Sequence, residues 1–212
     1  MRCVPRAFAI VCVALVCAAP AYSTQYLFET VRVSDPGSGS GIPLGPGMDG
    51  PSESPSNSFT GTGYGTALYD DVAHTLALNA SFAGLDGTTT ASHIHAATPN
   101  PFRQTAGVAT TTPSFAGFPL GFKSGTFSNT LDLTQSTSWN PSYVSAHGGT
   151  TAGAETDFIA AMFGHQAYWN IHTTSVPGGE IRGFMSLTPE PASGVLIGIG
   201  LACLGFFSRR PR

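Results

Sequence analysis

The strongest constraint on the fold of this 212-residue chain is the segment 168–187, which reads YWNIHTTSVPGGEIRGFMSL. Its first arm alternates as a strand does, with Trp169 and Ile171 on one face and His172 on the other. The tripeptide Pro177-Gly178-Gly179 predicts a turn, because proline presets φ and glycine tolerates positive φ. The segment therefore predicts an antiparallel β-hairpin with one apolar face.

The second arm of this hairpin carries two charged residues, Glu180 and Arg182, which alternation places on the same face. Only 10% of the residues are Asp, Glu, Lys or Arg, so such a pair is uncommon in this chain. We expect Glu180 and Arg182 to form a structural cross-strand pair rather than a catalytic one.

Two blocks of the sequence resemble the CHRD domain, the repeat unit first named from chordin. One is the His172 strand with the Pro-Gly-Gly-Glu-Ile-Arg-Gly turn and strand that follow it, and the other is Ser92-His93-Ile94-His95. The match to this family is specific because the turn residues, the charged pair and the histidines all occur together. The resemblance covers roughly residues 26–187, and it implies a domain similar in outline to the copper/zinc superoxide dismutases.

The remaining strands are predicted from short runs of alternating polarity separated by turn residues. They lie at 25–33, 59–69, 72–82, 88–95, 105–112 and 125–133. One helix is predicted at 155–164, with an apolar stripe that includes Phe158 and Met162. These elements predict an all-β fold, an antiparallel β-sandwich of immunoglobulin-like or superoxide-dismutase-like outline with one short helix.

Residues 34–57 interrupt this pattern, because 17 of the 24 are Gly, Pro or Ser. Such a composition supplies little apolar surface for a core, so we expect a long, flexible loop. Its acidic residues, Asp35, Asp49 and Glu53, lack the spacing of a calcium-binding loop. A solvated loop is therefore favoured over a metal-binding one.

Residues 1–23 have the features of a secretory signal peptide: a basic start, an apolar run and small residues at the end. Cleavage after Ala21 and cleavage after Ser23 both fit. All four cysteines lie in the terminal segments, at positions 3, 12, 17 and 203. The domain at 24–187 therefore contains no disulfide, and we expect its stability to come from core burial alone.

The charge balance changes when the ends are set aside. Residues 24–191 contain four basic and twelve acidic residues, a formal charge of −8, whereas the whole chain has −3. A surface this acidic cannot neutralise phosphates, which excludes nucleic acid as a partner. Cationic partners or metal ions suit it better.

The C-terminal segment 188–212 combines Pro189-Glu190-Pro191 with an apolar run at 192–207 and three arginines near the end. This order resembles the PEP-CTERM sorting signal of Gram-negative bacteria. The resemblance implies processing by an exosortase and display at the cell surface or in the extracellular matrix. The apolar run predicts a transient membrane helix, with the arginines on the cytoplasmic side. An ordinary C-terminal anchor is the alternative.

Three histidines are the candidate metal ligands. His93 and His95 lie two apart on a predicted strand and so share a face, and His172 lies on the neighbouring hairpin. Imidazole suits copper and zinc, and superoxide dismutases use a similar arrangement. The fourth ligand is expected to be water, His147 or His165. In the alternative interpretation the histidines only form hydrogen bonds across the sheet.

Two classes of function remain open. No Gly-x-Ser-x-Gly elbow, phosphate loop or zinc-protease helix occurs in the sequence, so we expect a non-enzymatic protein. Its sandwich would be displayed at the surface and would bind another protein or an exopolysaccharide. The alternative is a copper or zinc protein with redox activity.

Overall fold

The computed structural model describes residues 23–34, 36–37 and 41–188 of the chain. Within these residues nine strands and two helices form, and a short 3-10 turn joins β7 to α1. The strands are β1 Gln25–Ser34, β2 Ile42–Pro46, β3 Met48–Asp49, β4 Thr62–Asp70, β5 Thr75–Ala83, β6 Thr89–His95, β7 Gly125–Asp132, β8 Tyr168–Thr173 and β9 Ile181–Leu187. The helices are α1 Pro141–Ala146 and α2 Thr151–Phe163.

Every pairing between these strands is antiparallel, and the sandwich is made from one sheet that turns back on itself. Strands β7, β5 and β4 form one half, and β9, β8 and β6 form the other. Strand β1 joins the halves, because its first part pairs with β4 and its middle part with β9. The prediction of an all-β antiparallel sandwich is confirmed.

Trp169 of β8 lies at the centre of the core between the two halves, fully buried. Its indole Nε1 donates a hydrogen bond to Ser92 Oγ at 2.8 Å, and the rings of Phe115 and Phe127 meet it edge-on. Gly65 allows β4 to pack closely against Trp169 of the other half, since a β-carbon at this position would lie 2.9 Å from the indole. The predicted apolar face of the hairpin is thus the core face.

The prediction of a flexible loop over residues 34–57 was wrong for the described part of that segment. It contains β2, which pairs with the end of β1, and β3, which pairs with both β4 and β9. Met48 is fully buried, and Ser52 Oγ accepts a hydrogen bond from the amide of Val33 at 2.9 Å. The strands beside it supply backbone partners and buried surface that its own composition does not reveal.

Three local features also differ from the predictions. The helix predicted at 155–164 begins earlier, at Thr151, where the hydroxyl of Thr150 caps Gly153. Helix α1 was missed; it is one and a half turns long and begins at a proline after an Asn140 cap. The short strand predicted at 105–112 forms only isolated bridges.

The predicted hydrophobic helices at the two ends lie outside the described residues, as do the sorting residues 189–191. Among the residues that the structure describes, no helix has the length and apolar character needed to cross a bilayer.

Candidate metal site and its surroundings

The structure brings the three predicted histidines together. Strands β6 and β8 pair so that His93 lies opposite Asn170, and His172 lies opposite Ala91. One candidate ligand atom from each of His93, His95 and His172 lies within 4.8 Å of the other two. Within the described part of the chain, this is the one group of three or more His, Cys, Asp or Glu side chains with such spacing.

Each of the three rings has its Nδ1 within hydrogen-bond distance of a backbone carbonyl oxygen. Nδ1 of His93 lies 3.0 Å from Pro113 O, and Nδ1 of His95 lies 2.8 Å from Ala106 O. Nδ1 of His172 lies 2.8 Å from the carbonyl oxygen of Pro177, in the hairpin turn. A carbonyl accepts hydrogen bonds only, so each Nδ1 carries the proton and each neutral ring has its lone pair on Nε2.

Two of the three Nε2 atoms lie against each other. His93 Nε2 and His172 Nε2 are 2.9 Å apart. Nε2 of His95 is buried and has no hydrogen-bond partner among the described residues. The cluster thus consists of three carbonyl-anchored rings whose ligand atoms lie close enough to one another to hold a metal ion.

Burial keeps these rings neutral. It lowers the pKa of His93 to about 4, with the neighbouring His172 adding to the effect. Burial likewise lowers the pKa of His95 to about 3, with His93 contributing, and it lowers the pKa of His172. At neutral pH the imidazoles therefore do not need to lose a proton before they bind a metal.

The other histidines do not join the cluster, so the expectation of His147 or His165 as fourth ligand was wrong. His147 follows α1, where its ring stacks on Tyr143 and Nδ1 donates to the carbonyl of Tyr143. His165 stacks on Phe102. His74, which lies within the strand predicted at 72–82, is instead in the β4–β5 turn and contacts Glu155 at 2.9 Å.

A family model described as the CHRD domain matches residues 47–185. The chain belongs to the CHRD domain family. A second family model, the PEP-CTERM protein-sorting motif, matches residues 187–210. No curated protein and no solved structure matches the chain. The sorting motif indicates export to the cell surface and processing by an exosortase-type system, as predicted.

In this CHRD domain the turn at Pro177-Gly178-Gly179 forms as predicted, with the amide of Gly179 donating to Val176 O at 3.0 Å. The cross-strand pair does not form. Glu180 precedes β9, and its carboxylate accepts from the amides of Asp86 and Gly87 at 2.6 and 3.1 Å. It ties the hairpin to the loop before β6 and does not contact Arg182.

Arg182 of the CHRD domain is fully buried and has different partners. Its guanidinium donates to the carbonyls of Ser52 and Gln104, and Nε lies 3.9 Å from Glu53 Oε2. It also lies 4.6 Å from the centre of the Tyr168 ring, which stacks on His95 at 4.6 Å. Arg182 therefore fastens the 34–57 segment against the face of the sheet that carries the histidines.

Glu53 was predicted to lie in a solvated loop, but the fold buries it. The residue is 4% exposed, and Asn170 Nδ2 donates to Glu53 Oε1 at 2.6 Å. Burial raises the pKa of Glu53 to about 7, although the charge of Arg182 opposes this. No local pattern marks the residue, because only the docking of its segment onto β8 and β9 buries it.

Proposed function

We propose that this chain is an exosortase-sorted surface protein whose CHRD domain binds one copper or zinc ion through His93, His95 and His172. The observation that carries the proposal is the 2.9 Å separation of His93 Nε2 and His172 Nε2. Both rings have Nδ1 directed at a carbonyl, so two lone pairs face each other without a proton between them. The two lone pairs repel each other, and a cation bound between them would attract both.

The distances are compatible with a common ion. Nitrogen ligands lie about 2.0–2.1 Å from zinc, so two of them in a tetrahedron are roughly 3.3 Å apart. His95 supplies a third nitrogen, whose buried Nε2 has no partner among the described residues. A buried polar atom without a hydrogen bond costs about 1–3 kcal/mol, and coordination removes that cost.

The alternative is a purely structural cluster, in which His93 and His172 share one hydrogen bond. It requires an additional proton on one ring, or a tautomer that gives up its carbonyl. The lowered pKa values of both rings oppose the additional proton, and the two short Nδ1 contacts oppose the tautomer change. The contacts and the pKa shifts therefore favour metal binding over the purely structural cluster.

We assign the domain a binding role rather than an enzymatic one. In this proposal the tail anchors the chain transiently in the membrane of a Gram-negative bacterium until an exosortase processes it. The displayed domain then presents its metal site and its acidic surface to the cell exterior, where a surface protein or an exopolysaccharide is the partner. Metal-loaded protein from which excess ion has been removed is expected to dismutate superoxide no faster than the metal-free protein.

Calorimetry with Zn²⁺ and Cu²⁺ on the chelator-treated full chain tests the metal proposal. We expect one ion per chain, and no such binding by a variant with His93, His95 and His172 all replaced by alanine. His147→Ala is the matched control, since that ring also donates Nδ1 to a carbonyl but lies outside the cluster. At a free zinc concentration of 100 Kd, the ion should stabilise the wild-type fold by about 2.7 kcal/mol. Equal affinity of the wild type and the triple variant would leave the histidines a structural role.

A further inference from the structure

Asn170 lies beside the histidines in the strand register, and its amide oxygen has no hydrogen-bond partner among the residues that the structure describes. The residue lies opposite His93 across the β6–β8 pair and two positions before His172, so it shares their face. It is 2% exposed, and Oδ1 is buried without a hydrogen-bond partner among the described residues. An orphan carbonyl in this position calls for a physical explanation.

The orientation of the amide follows from its other end. Nδ2 donates to Glu53 Oε1 at 2.6 Å, a bond that both a carboxylate and the carbonyl oxygen of a protonated carboxyl can accept. Glu53 lies on the β9 side of β8, beside Arg182. The oxygen branch makes no such contact with the described residues, and it belongs to a side chain that lies directly opposite His93 of β6.

We propose that Asn170 Oδ1 accepts a hydrogen bond from a water molecule that completes the coordination of the ion held by His93, His95 and His172. The inference rests on the proposed metal binding. It gives the site three nitrogen ligands and one oriented water, in place of the His147 or His165 ligand that the structure excludes.

Two buried orphan atoms are satisfied together in this arrangement. His95 Nε2 binds the ion, and Asn170 Oδ1 accepts from the water on the same ion. Water of this kind has two hydrogens to donate, so an acceptor fixed on one side sets its orientation. Glu53 fixes the position of the amide through its hydrogen bond to Nδ2. Asn170 is therefore a positioning residue that acts on the metal through the bound water. Loss of such a residue typically costs 10- to 100-fold in metal affinity.

The test compares Zn²⁺ affinity and Co²⁺ absorption spectra in the full chain for wild type, Asn170→Leu and Asn170→Asp. Leucine has a similar shape but no acceptor, so we expect zinc to bind about 10- to 100-fold more weakly and the visible Co²⁺ bands to change. Aspartate restores an oxygen toward the water, and we expect it to recover most of the affinity. A merely structural asparagine would not alter the cobalt bands.

The outcomes separate the inference from the proposal on which it rests. If wild type binds no zinc, metal binding itself fails and the role of Asn170 fails with it. If wild type binds but Asn170→Leu matches it within twofold and gives the same cobalt spectrum, only the role of Asn170 is overturned. If Asn170→Leu does not fold by circular dichroism, Asn170→Ala takes its place: this variant also has no acceptor, so wild-type zinc affinity and an unchanged cobalt spectrum in it contradict the proposed contact.

Discussion

Replacing Glu53 by glutamine should change how the stability of the domain depends on pH. Glu53 is a buried carboxyl that Asn170 and Arg182 contact, and its pKa is about 7 against an ordinary value of 4.5. Glutamine keeps the size of the side chain and an oxygen for Asn170, but it does not titrate. The comparison therefore isolates the titration of Glu53.

The sign and the size of this change in the free energy of unfolding follow from proton linkage. Below pH 4.5 the carboxyl is protonated in both states, and its titration leaves stability unchanged. Between pH 4.5 and about 7 the unfolded chain releases the proton first, so the folded state loses stability as the pH rises. Each tenfold difference in proton affinity is worth about 1.4 kcal/mol, which gives a loss of about 3 kcal/mol by pH 8.

Urea unfolding of wild type and Glu53→Gln between pH 4.5 and 8 measures this effect. The free energy of unfolding of wild type minus that of the variant should fall by about 3 kcal/mol across the range. The histidines are present in both proteins, so their opposite pH dependence cancels in this difference. Glu29→Gln makes the same chemical change at a partly exposed carboxylate, and it controls for the loss of one negative charge. A difference that stays constant with pH would refute the argument that burial holds the proton on Glu53.

Three other predictions address the fold and the sorting segment. Residues 24–187 alone, which contain no cysteine, should fold to a β-rich domain with a cooperative melt; a circular dichroism spectrum without β signal would contradict this. Glu190→Ala should leave the chain unprocessed or mislocalised, as seen by immunoblot of cell fractions, and normal processing would favour a plain anchor. Gly65→Ala should lower the free energy of unfolding by about 1–3 kcal/mol, because the new methyl group meets Trp169. Gly178→Ala, where a β-carbon has no neighbour within 4 Å, should change it by less than about 0.5 kcal/mol in the same urea titration.

Local patterns predicted the parts of this protein that depend on neighbouring residues. Alternation placed Trp169 in the core, and the Pro-Gly-Gly sequence predicted the hairpin turn. The spacing of His93 and His95 put both rings on one face, since side chains of a strand alternate with a period of two. The sorting motif was equally readable, because its residues are contiguous and do not require a fold.

Tertiary structure decided what depends on segments far apart in the chain. His172 meets His93 across 79 positions, and only the register of β6 on β8 fixes that contact. Glu180 and Arg182 are only two positions apart in sequence, yet Glu180 binds two loop amides and Arg182 binds two backbone carbonyls of other segments. Glu53 has the surroundings of a flexible loop in sequence, but the edges of β1, β4 and β9 order its segment and bury its carboxyl. Composition reports what a segment can bury by itself, whereas burial in the fold depends on the surface that packs against it.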